Sequence, residues 1–521
     1  MLYLEEVESM KKILTVVLDG WGLRDEVEGN GVLQAVKPNF DKLWSTYPHC
    51  TLEASSEYVG LPKGVFGNSE VGHSTIGSGI LIKQAELIVN ELFEEDRINE
   101  NEVFKETIKD IKESNKDVHL MFLCSNGGVH SSLNHALFLL NALKKAAVKN
   151  VYFHLITDGR DTDAHSSFKY IEQVMNVIKD LGIGSIATIC GRYYAMDRDT
   201  NWDRTQKYVD LVTRGVGLEI KSIMPAIKAC YMKNITDEFL PPLLVNRAGL
   251  IKNNDVLFWL NFRIDRAKQI LESITNPHFD KFPVLKMPDL HLVTLFSVDK
   301  NVKGEELLKE TEGTKNPLGI YFANLGLSQA RVAETEKFAH VTYFFDNGHP
   351  LPKENCNSYL IPSPKVATYD LKPEMSALEV CNKTIECMEK DYDFILTNFA
   401  NPDMVGHTGK LEATIKAVQV VDLCLGKLIS AAEDNFYTII VLADHGNAEV
   451  IIDDEGKVVT SHTTSPVPFI ITDTKITELH DGDLTQVAPT ILEYMDIAKP
   501  DEMKSTISLF NKKPVKKEVQ I

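Results

Sequence analysis

A chain of 521 residues, 44% of them hydrophobic, can bury a large core and exceeds what one compact domain ordinarily holds, so two domains are expected. Its formal charge of -19 at pH 7 excludes the broad basic surface that nucleic acid or an anionic membrane requires, and an anionic substrate would need a local basic pocket. No apolar run is long enough to span a bilayer, and the eight cysteines are dispersed without a C-x-x-C pair, the pattern of reduced thiols in a cytoplasmic protein.

Residues 1–10 are acidic and receive no role. Buried strands are then predicted at 13–18, 118–124, 151–157, 186–190, 256–260, 393–397, 438–443 and 467–471, alternating with helices at 135–148, 168–181, 204–214 and 411–433. That order predicts α/β architecture with mainly parallel sheets. The segments 79–85 and 300–317 read as linkers, and the lysine-rich end, 511–521, as a frayed tail. No internal repeat or low-complexity segment is visible.

Residues with metal-ligand chemistry stand at both ends of the chain, directly after apolar runs or inside glycine-bounded turns. Asp19 follows the first predicted strand, and Asp444 and His445 follow the run 438–443. Ligands bind at such strand ends in open α/β sheets. Asp403 and His407 share one face if their segment makes a helical turn, although Asp403 capping a short helix is an equal reading. Gly446 after His445 permits close backbone approach, against the alternative of an ordinary Asx turn. His462 is a weak signal that gains weight only within a constellation. Ser69, in a glycine-flanked turn entering a helix, is either an N-cap or a nucleophile whose hydroxyl a divalent cation acidifies without a side-chain base. Asp19 and Ser69 precede the first linker and the other candidates follow the second, so a single centre joins the two ends. The expected domains are 1–83 with 315–521, and an inserted 84–314.

In the insert, predicted strands end in arginines. Arg160 and Asp161 follow 151–157, Arg192 follows 186–190 with Arg198 close behind, and Arg263 and Arg266 follow 256–260. Converging guanidinium forks make a cup for a small multivalent anion, to which His130 could donate. The competing reading pairs each arginine with a nearby aspartate: Asp158, Asp161, Asp197, Asp199 or Asp265.

The segments 67–77, 158–162, 261–266, 333–342, 401–409 and 443–449 resemble those of the cofactor-independent phosphoglycerate mutases, a family of the alkaline phosphatase superfamily. The resemblance runs from Lys12 to Ile497. It implies an α/β fold, an alkaline-phosphatase-like metal domain with a second α/β domain inserted in it. It also implies interconversion of 3-phosphoglycerate and 2-phosphoglycerate in glycolysis and gluconeogenesis through a phosphoserine on Ser69, without 2,3-bisphosphoglycerate. By motif, one metal falls to Asp403, His407 and His462 and the other to Asp19, Ser69, Asp444 and His445. The cofactors are two divalent ions, Mn2+ by the family pattern, with Co2+, Mg2+ or Zn2+ compatible with mixed donors. The substrate cup is His130, Arg160, Asp161, Arg192, Arg198, Arg263 and Arg266, with Lys337 steadying phosphoryl charge as a catalytic group. Hinges near the two linkers would let the insert close and exclude water. The sequence departs from the family at Ser461, Ser465, Ser74 and Thr75, neighbours rather than ligands. The expected partner is the small-molecule substrate alone, for a monomer that needs no second chain to complete its centre. Competing readings are a metal-dependent phosphatase or another phosphomutase and, from a different class, a non-catalytic metal-dependent sensor.

Overall fold

A computed structural model describes residues 11–94, 96–309 and 313–510; the acidic start and the lysine-rich end considered above lie outside the described residues. The chain divides into two units, Met1–Lys83 with Glu312–Ile521, and Gln84–Thr311.

The first unit is built on an eight-stranded sheet in the order Cys356–Ile361, Gln329–Glu334, Phe394–Phe399, Lys12–Leu18, Tyr437–Leu442, Val467–Ile471, His49–Glu53 and Gly482–Asp483. Lys12–Leu18 sits at its centre between Phe394–Phe399 and Tyr437–Leu442, all running parallel. These strands are mainly apolar and almost wholly buried, as parallel strands sandwiched by helices must be. Because they run parallel, their C-terminal ends share one edge of the sheet. Asp19, Asp403, Asp444 and His445 therefore emerge together although hundreds of residues separate them. Val467–Ile471 departs from the parallel expectation, pairing antiparallel with both of its neighbours.

Gln329–Glu334 was not expected, because its sequence QARVAE reads as polar, yet every residue in it is buried. Arg331 resolves the conflict: its guanidinium lies 4.9 Å from the Phe345 ring centre and 5.1 Å from that of Phe394, and Nη2 donates to Gln329 Oε1 at 2.7 Å. Glu334 ends the strand, accepting the Ser363 hydroxyl at 2.8 Å. Burial pushes its carboxyl up to about 7. An exposed glutamate in the unfolded chain titrates at about 4.3, so ionising Glu334 costs stability as pH rises from there through about 7, and the penalty is complete above. Glu334→Gln should therefore melt higher than the parent chain at pH 8, with the gap closing as pH falls toward 5. A gap that stayed constant with pH in paired thermal melts would contradict this.

The second unit carries an eight-stranded sheet in the order Glu305–Glu306, His291–Thr294, Val256–Trp259, Val118–Leu123, Val151–Thr157, Ser185–Gly191, Leu243–Leu244 and Leu218–Glu219. Only the contact between Ser185–Gly191 and Leu243–Leu244 is antiparallel among these. Alternate residues of Val118–Leu123 enter different cores, Leu120 and Phe122 in one and Met121 and Leu123 in the other, so both faces of the sheet are covered. The helices Leu133–Lys145, Ser167–Leu181 and Trp202–Arg214 fall where the periodicity places them. The segment 300–317 is not purely a linker. Glu305–Glu306 pairs in parallel with His291–Thr294 at the sheet edge, where charged residues are compatible with a strand that has one neighbour.

Candidate metal centre and guanidinium cup

Ser69 opens the helix Ser69–Ser78, but the cap is Asn68, whose side chain accepts from the Val71 N–H at 3.0 Å. Relieved of capping, the Ser69 hydroxyl turns to the sheet edge. Its Oγ lies 2.9 Å from His445 Nε2 and 3.3 Å from Asp19 Oδ1, and accepts from Lys337 Nζ at 2.6 Å. The helix comes this close because residue 72 is glycine: a Cβ there would stand 2.5 Å from the Asp444 carbonyl oxygen.

Lys337, just past Gln329–Glu334, also donates to Asp19 Oδ1 at 2.7 Å and Asp403 Oδ2 at 2.6 Å, so its buried ammonium has three oxygen partners within the first unit. Asp403 lies on the short helix Asn401–Gly406, and its Oδ1 faces His407 Nε2 and His462 Nε2 at 3.2 Å each, the first across the helical turn that the spacing suggested. Burial alone would lower the Lys337 pKa, but Asp19 and Asp403 hold it above the ordinary lysine value. Burial likewise works against an ionised Asp403, which the Lys337 ammonium nonetheless holds well below the usual carboxylate range. Asp19 goes the other way, pushed up by burial and by the charge of Asp444.

In the second unit the arginines stand at the C-terminal ends of the parallel strands, and most already have carboxylate partners. Arg192, buried, donates to Asp158 Oδ1 at 2.7 Å and also to Asp161 Oδ2. Arg198 donates to Asp265 Oδ2 at 2.6 Å, and Arg263 Nε lies 3.2 Å from Asp265 Oδ1. Arg160 lies 3.6 Å from Glu238, a partner far off in sequence, and Asp197 pairs with Arg204 rather than Arg198. Arg266 alone of the five has no carboxylate within ion-pair distance among the described residues, donating instead to the Met196 carbonyl at 2.8 Å. Burial and then the charges of Arg198, Arg192 and Arg160 lower its pKa. His130 is buried beside them, its carbonyl accepting from the Phe262 N–H at 2.8 Å.

The metalloenzyme superfamily model matches residues 11–499. The chain is 44% identical over 503 residues to the 2,3-bisphosphoglycerate-independent phosphoglycerate mutase of Clostridium acetobutylicum, which covers 95% of this chain and 98% of that protein. It is 42% identical over 499 residues to the protein of the same name from Parabacteroides distasonis, again covering 95% and 98%. The chain belongs to the 2,3-bisphosphoglycerate-independent phosphoglycerate mutase family. A crystal structure of Leishmania mexicana phosphoglycerate mutase at low cobalt concentration shares the fold, with a TM-score of 0.62 at 27% identity over 97% of this chain and 99% of that one.

A metalloenzyme of this family needs donors that fit cations, and the first unit has them. Asp403, His445 and His462 form one group and Asp19, His73 and Asp444 another, with ligand atoms within 4.8 Å of one another in each. The rings are oriented for coordination: His407 Nδ1 faces the Thr460 carbonyl at 2.7 Å and His462 Nδ1 the Gly67 carbonyl at 2.9 Å. With those nitrogens protonated, both Nε2 lone pairs converge beside Asp403 at a separation of 3.0 Å, an arrangement a shared cation resolves. Asp444 Oδ2 is buried, with His73 Nδ1 3.1 Å away but no well-aligned hydrogen-bond donor among the described residues, and three buried aspartates face one buried ammonium. The donor set therefore fits divalent cations.

These groups overlap the two sets that the family motif implies without coinciding with them, because His445 Nε2 lies between them, 3.5 Å from Asp19 Oδ1 and 3.6 Å from Asp444 Oδ2. His445 stands with Asp403 and His462, and His73, which sequence reasoning missed, stands with Asp19 and Asp444. His73 lies one helical turn after Ser69, with Nδ1 2.9 Å from the Ser69 carbonyl and 3.1 Å from Asp444 Oδ2; that spacing was its only signal. Also missed were Asn398, which donates to Asp19 Oδ2 at 2.7 Å, and Asn447, which donates to Asp403 Oδ1 at 2.7 Å. Both orient carboxylates from behind.

Proposed function

We propose that this protein interconverts 3-phosphoglycerate and 2-phosphoglycerate, the glycolytic and gluconeogenic step, with Ser69 carrying the phosphoryl group between the two positions. The observation that supports it most directly is the Ser69 hydroxyl set among His445, Asp19 and Lys337, between two groups of metal-ligand side chains.

In this reading Asp403, His407 and His462 would hold one divalent ion and Asp19, Ser69, Asp444 and His445 the other, Mn2+ by the family pattern, with His73 beside Asp444. Such ions acidify a serine hydroxyl and neutralise transferring phosphoryl oxygens. The protein's own groups do the rest. Lys337 donates to the phosphoryl oxygens as charge moves onto them, and Asn68 fixes the helix start so that Ser69 presents its oxygen in one orientation. His130, Arg160, Asp161, Arg192, Arg198, Arg263 and Arg266 hold glycerate by its carboxylate and hydroxyl groups while the phosphoryl group resides on Ser69. Holding glycerate separates a mutase from a phosphatase, because the second hydroxyl must take the phosphoryl group before water does.

The metal-binding domain would be 1–83 with 315–521 and the substrate-binding domain 84–314. A monomer is the assembly this reading expects, and a glycolytic role supports a cytoplasmic location. Among the described residues no helix is long and apolar enough to cross a membrane.

The test supplies metal-loaded protein with 3-phosphoglycerate alone and follows 2-phosphoglycerate and inorganic phosphate separately. The expected result is 2-phosphoglycerate without matching phosphate. Stoichiometric phosphate would make the protein a phosphatase, and no turnover would favour a sensor.

A further inference from the structure

Asparagine precedes glycine three times in this chain, at 30–31, 126–127 and 347–348. The pair is chemically labile, because a glycine nitrogen has no side chain beside it to hinder its attack on the preceding amide carbon. The fold guards two of the three pairs. Asn30 is fully buried; its Nδ2 donates to the Arg24 and Glu26 carbonyls at 3.1 and 3.0 Å, and its Oδ1 accepts from the Val32 and Leu33 N–H groups at 3.0 and 2.8 Å. The Gly31 N–H is given to the Ala448 carbonyl at 2.9 Å. Asn347 Oδ1 accepts from the Ser74 hydroxyl at 2.8 Å, its Nδ2 donates to the Ser74 carbonyl at 3.3 Å, and the Gly348 N–H donates to the Tyr343 carbonyl at 2.8 Å. At both positions the attacking nitrogen and the amide it would attack are held apart by other parts of the fold, so ring closure needs a local opening that breaks several hydrogen bonds.

Asn126 has neither restraint. It is exposed, in the loop that leads from the strand Val118–Leu123 to His130. Among the described residues no hydrogen bond holds its side chain, and the Gly127 N–H reaches only the Ser125 hydroxyl oxygen, at 3.3 Å.

We propose that Asn126 is a modification site, where the chain deamidates spontaneously and the isoaspartyl product impairs the guanidinium cup. The Gly127 nitrogen gives its proton to hydroxide and bonds to Asn126 Cγ; the Cγ–Nδ2 bond breaks and the nitrogen leaves as ammonia, protonated by water. Water then opens the cyclic imide at either carbonyl, giving aspartate or isoaspartate. Isoaspartate adds one carbon to the main chain and leaves a free carboxylate. The loop has no slack for that carbon: a Cβ on Gly127 would stand 3.1 Å from both the Asp161 carbonyl oxygen and Asp161 Cβ, and Gly128 already sits at φ +70°. Asp161 belongs to the cup, so the effect on binding rests on the mutase reading, whereas the modification does not.

The test ages metal-loaded full-length protein at mildly alkaline pH, maps the digested chain by mass spectrometry, and reads isoaspartate separately by methyl transfer from an isoaspartate methyltransferase. The amide-to-acid mass change should gather on the Asn126 peptide about tenfold or more faster than on the Asn30 and Asn347 peptides, because only those two require local opening. The Kd for 3-phosphoglycerate, read by calorimetry, should rise in step with methyl acceptance in the parent chain and stay constant in Asn126→Gln aged alongside it. An intact Asn126, or modification of Asn30 or Asn347 at the same rate, overturns the site. A constant Kd while isoaspartate accumulates at Asn126 overturns the effect on the cup. The peptide map needs neither binding nor turnover, so fresh protein that failed to bind 3-phosphoglycerate would count against the mutase reading and not against the modification.

Discussion

Ser69→Ala should leave the protein folded and able to bind divalent cations while lowering turnover of 3-phosphoglycerate by on the order of 10^4-fold or more. The stability half follows from the helix start. Asn68 makes the capping hydrogen bond, so the Ser69 hydroxyl can be deleted without releasing the helix. The activity half follows from what that hydroxyl touches, since Lys337, His445 and Asp19 all meet at one oxygen. A merely structural serine would not collect an ammonium, an imidazole and a carboxylate in a buried setting. Steady-state rates for parent and variant, beside thermal melts with and without Mn2+, check both halves. Activity within tenfold of the parent chain would remove Ser69 from the chemistry.

Lys337→Met should separate stability from activity in a way that depends on metal. Without divalent cations, the Lys337 ammonium is the buried positive charge that bridges Asp19 and Asp403. Replacing it with an apolar chain of similar length leaves those carboxylates buried and uncompensated, a loss of about 3–5 kcal/mol for a broken buried pair. Saturating Mn2+ should restore most of the lost melting temperature, because cations held by the same aspartates supply the missing charge. Activity should not return with it: loss of a charge aimed at transferring oxygens costs about 10^2–10^3-fold. Melts in chelator and in Mn2+, paired with rates in Mn2+, test this. A variant as stable as the parent in chelator, or one that Mn2+ restores to full activity, would contradict the assignment.

Much of this site was readable from the chain before any coordinates, for a physical reason. Residues 13–18 and 438–443 are aliphatic but for one threonine each, and parallel strands buried on both faces have to look that way, so the groups just past them, Asp19, Asp444 and His445, are marked as edge residues. The arginine-tipped strands of the second unit were marked by the same logic. What escaped notice depended on contacts that period and composition do not encode. The run 329–334 looks polar because a guanidinium is laid between two phenylalanine rings that lie elsewhere in the chain. His73 announces itself only once residues 69–78 are known to be helical and aligned with Asp444. The degree to which the cup is already neutralised was also hidden. Glu238 is distant from Arg160 in sequence, and nothing in the run 261–266 says that Asp265 would serve Arg198 and Arg263 together.

The central claim is that a phosphoryl group passes through Ser69, and acid-quenched mass spectrometry of metal-loaded protein mixed with 3-phosphoglycerate tests it most directly. The expected result is a phosphate ester on the peptide containing Ser69, formed before 2-phosphoglycerate reaches equilibrium and absent from Ser69→Ala. Full turnover with no such ester, or an ester on a different side chain, would contradict it.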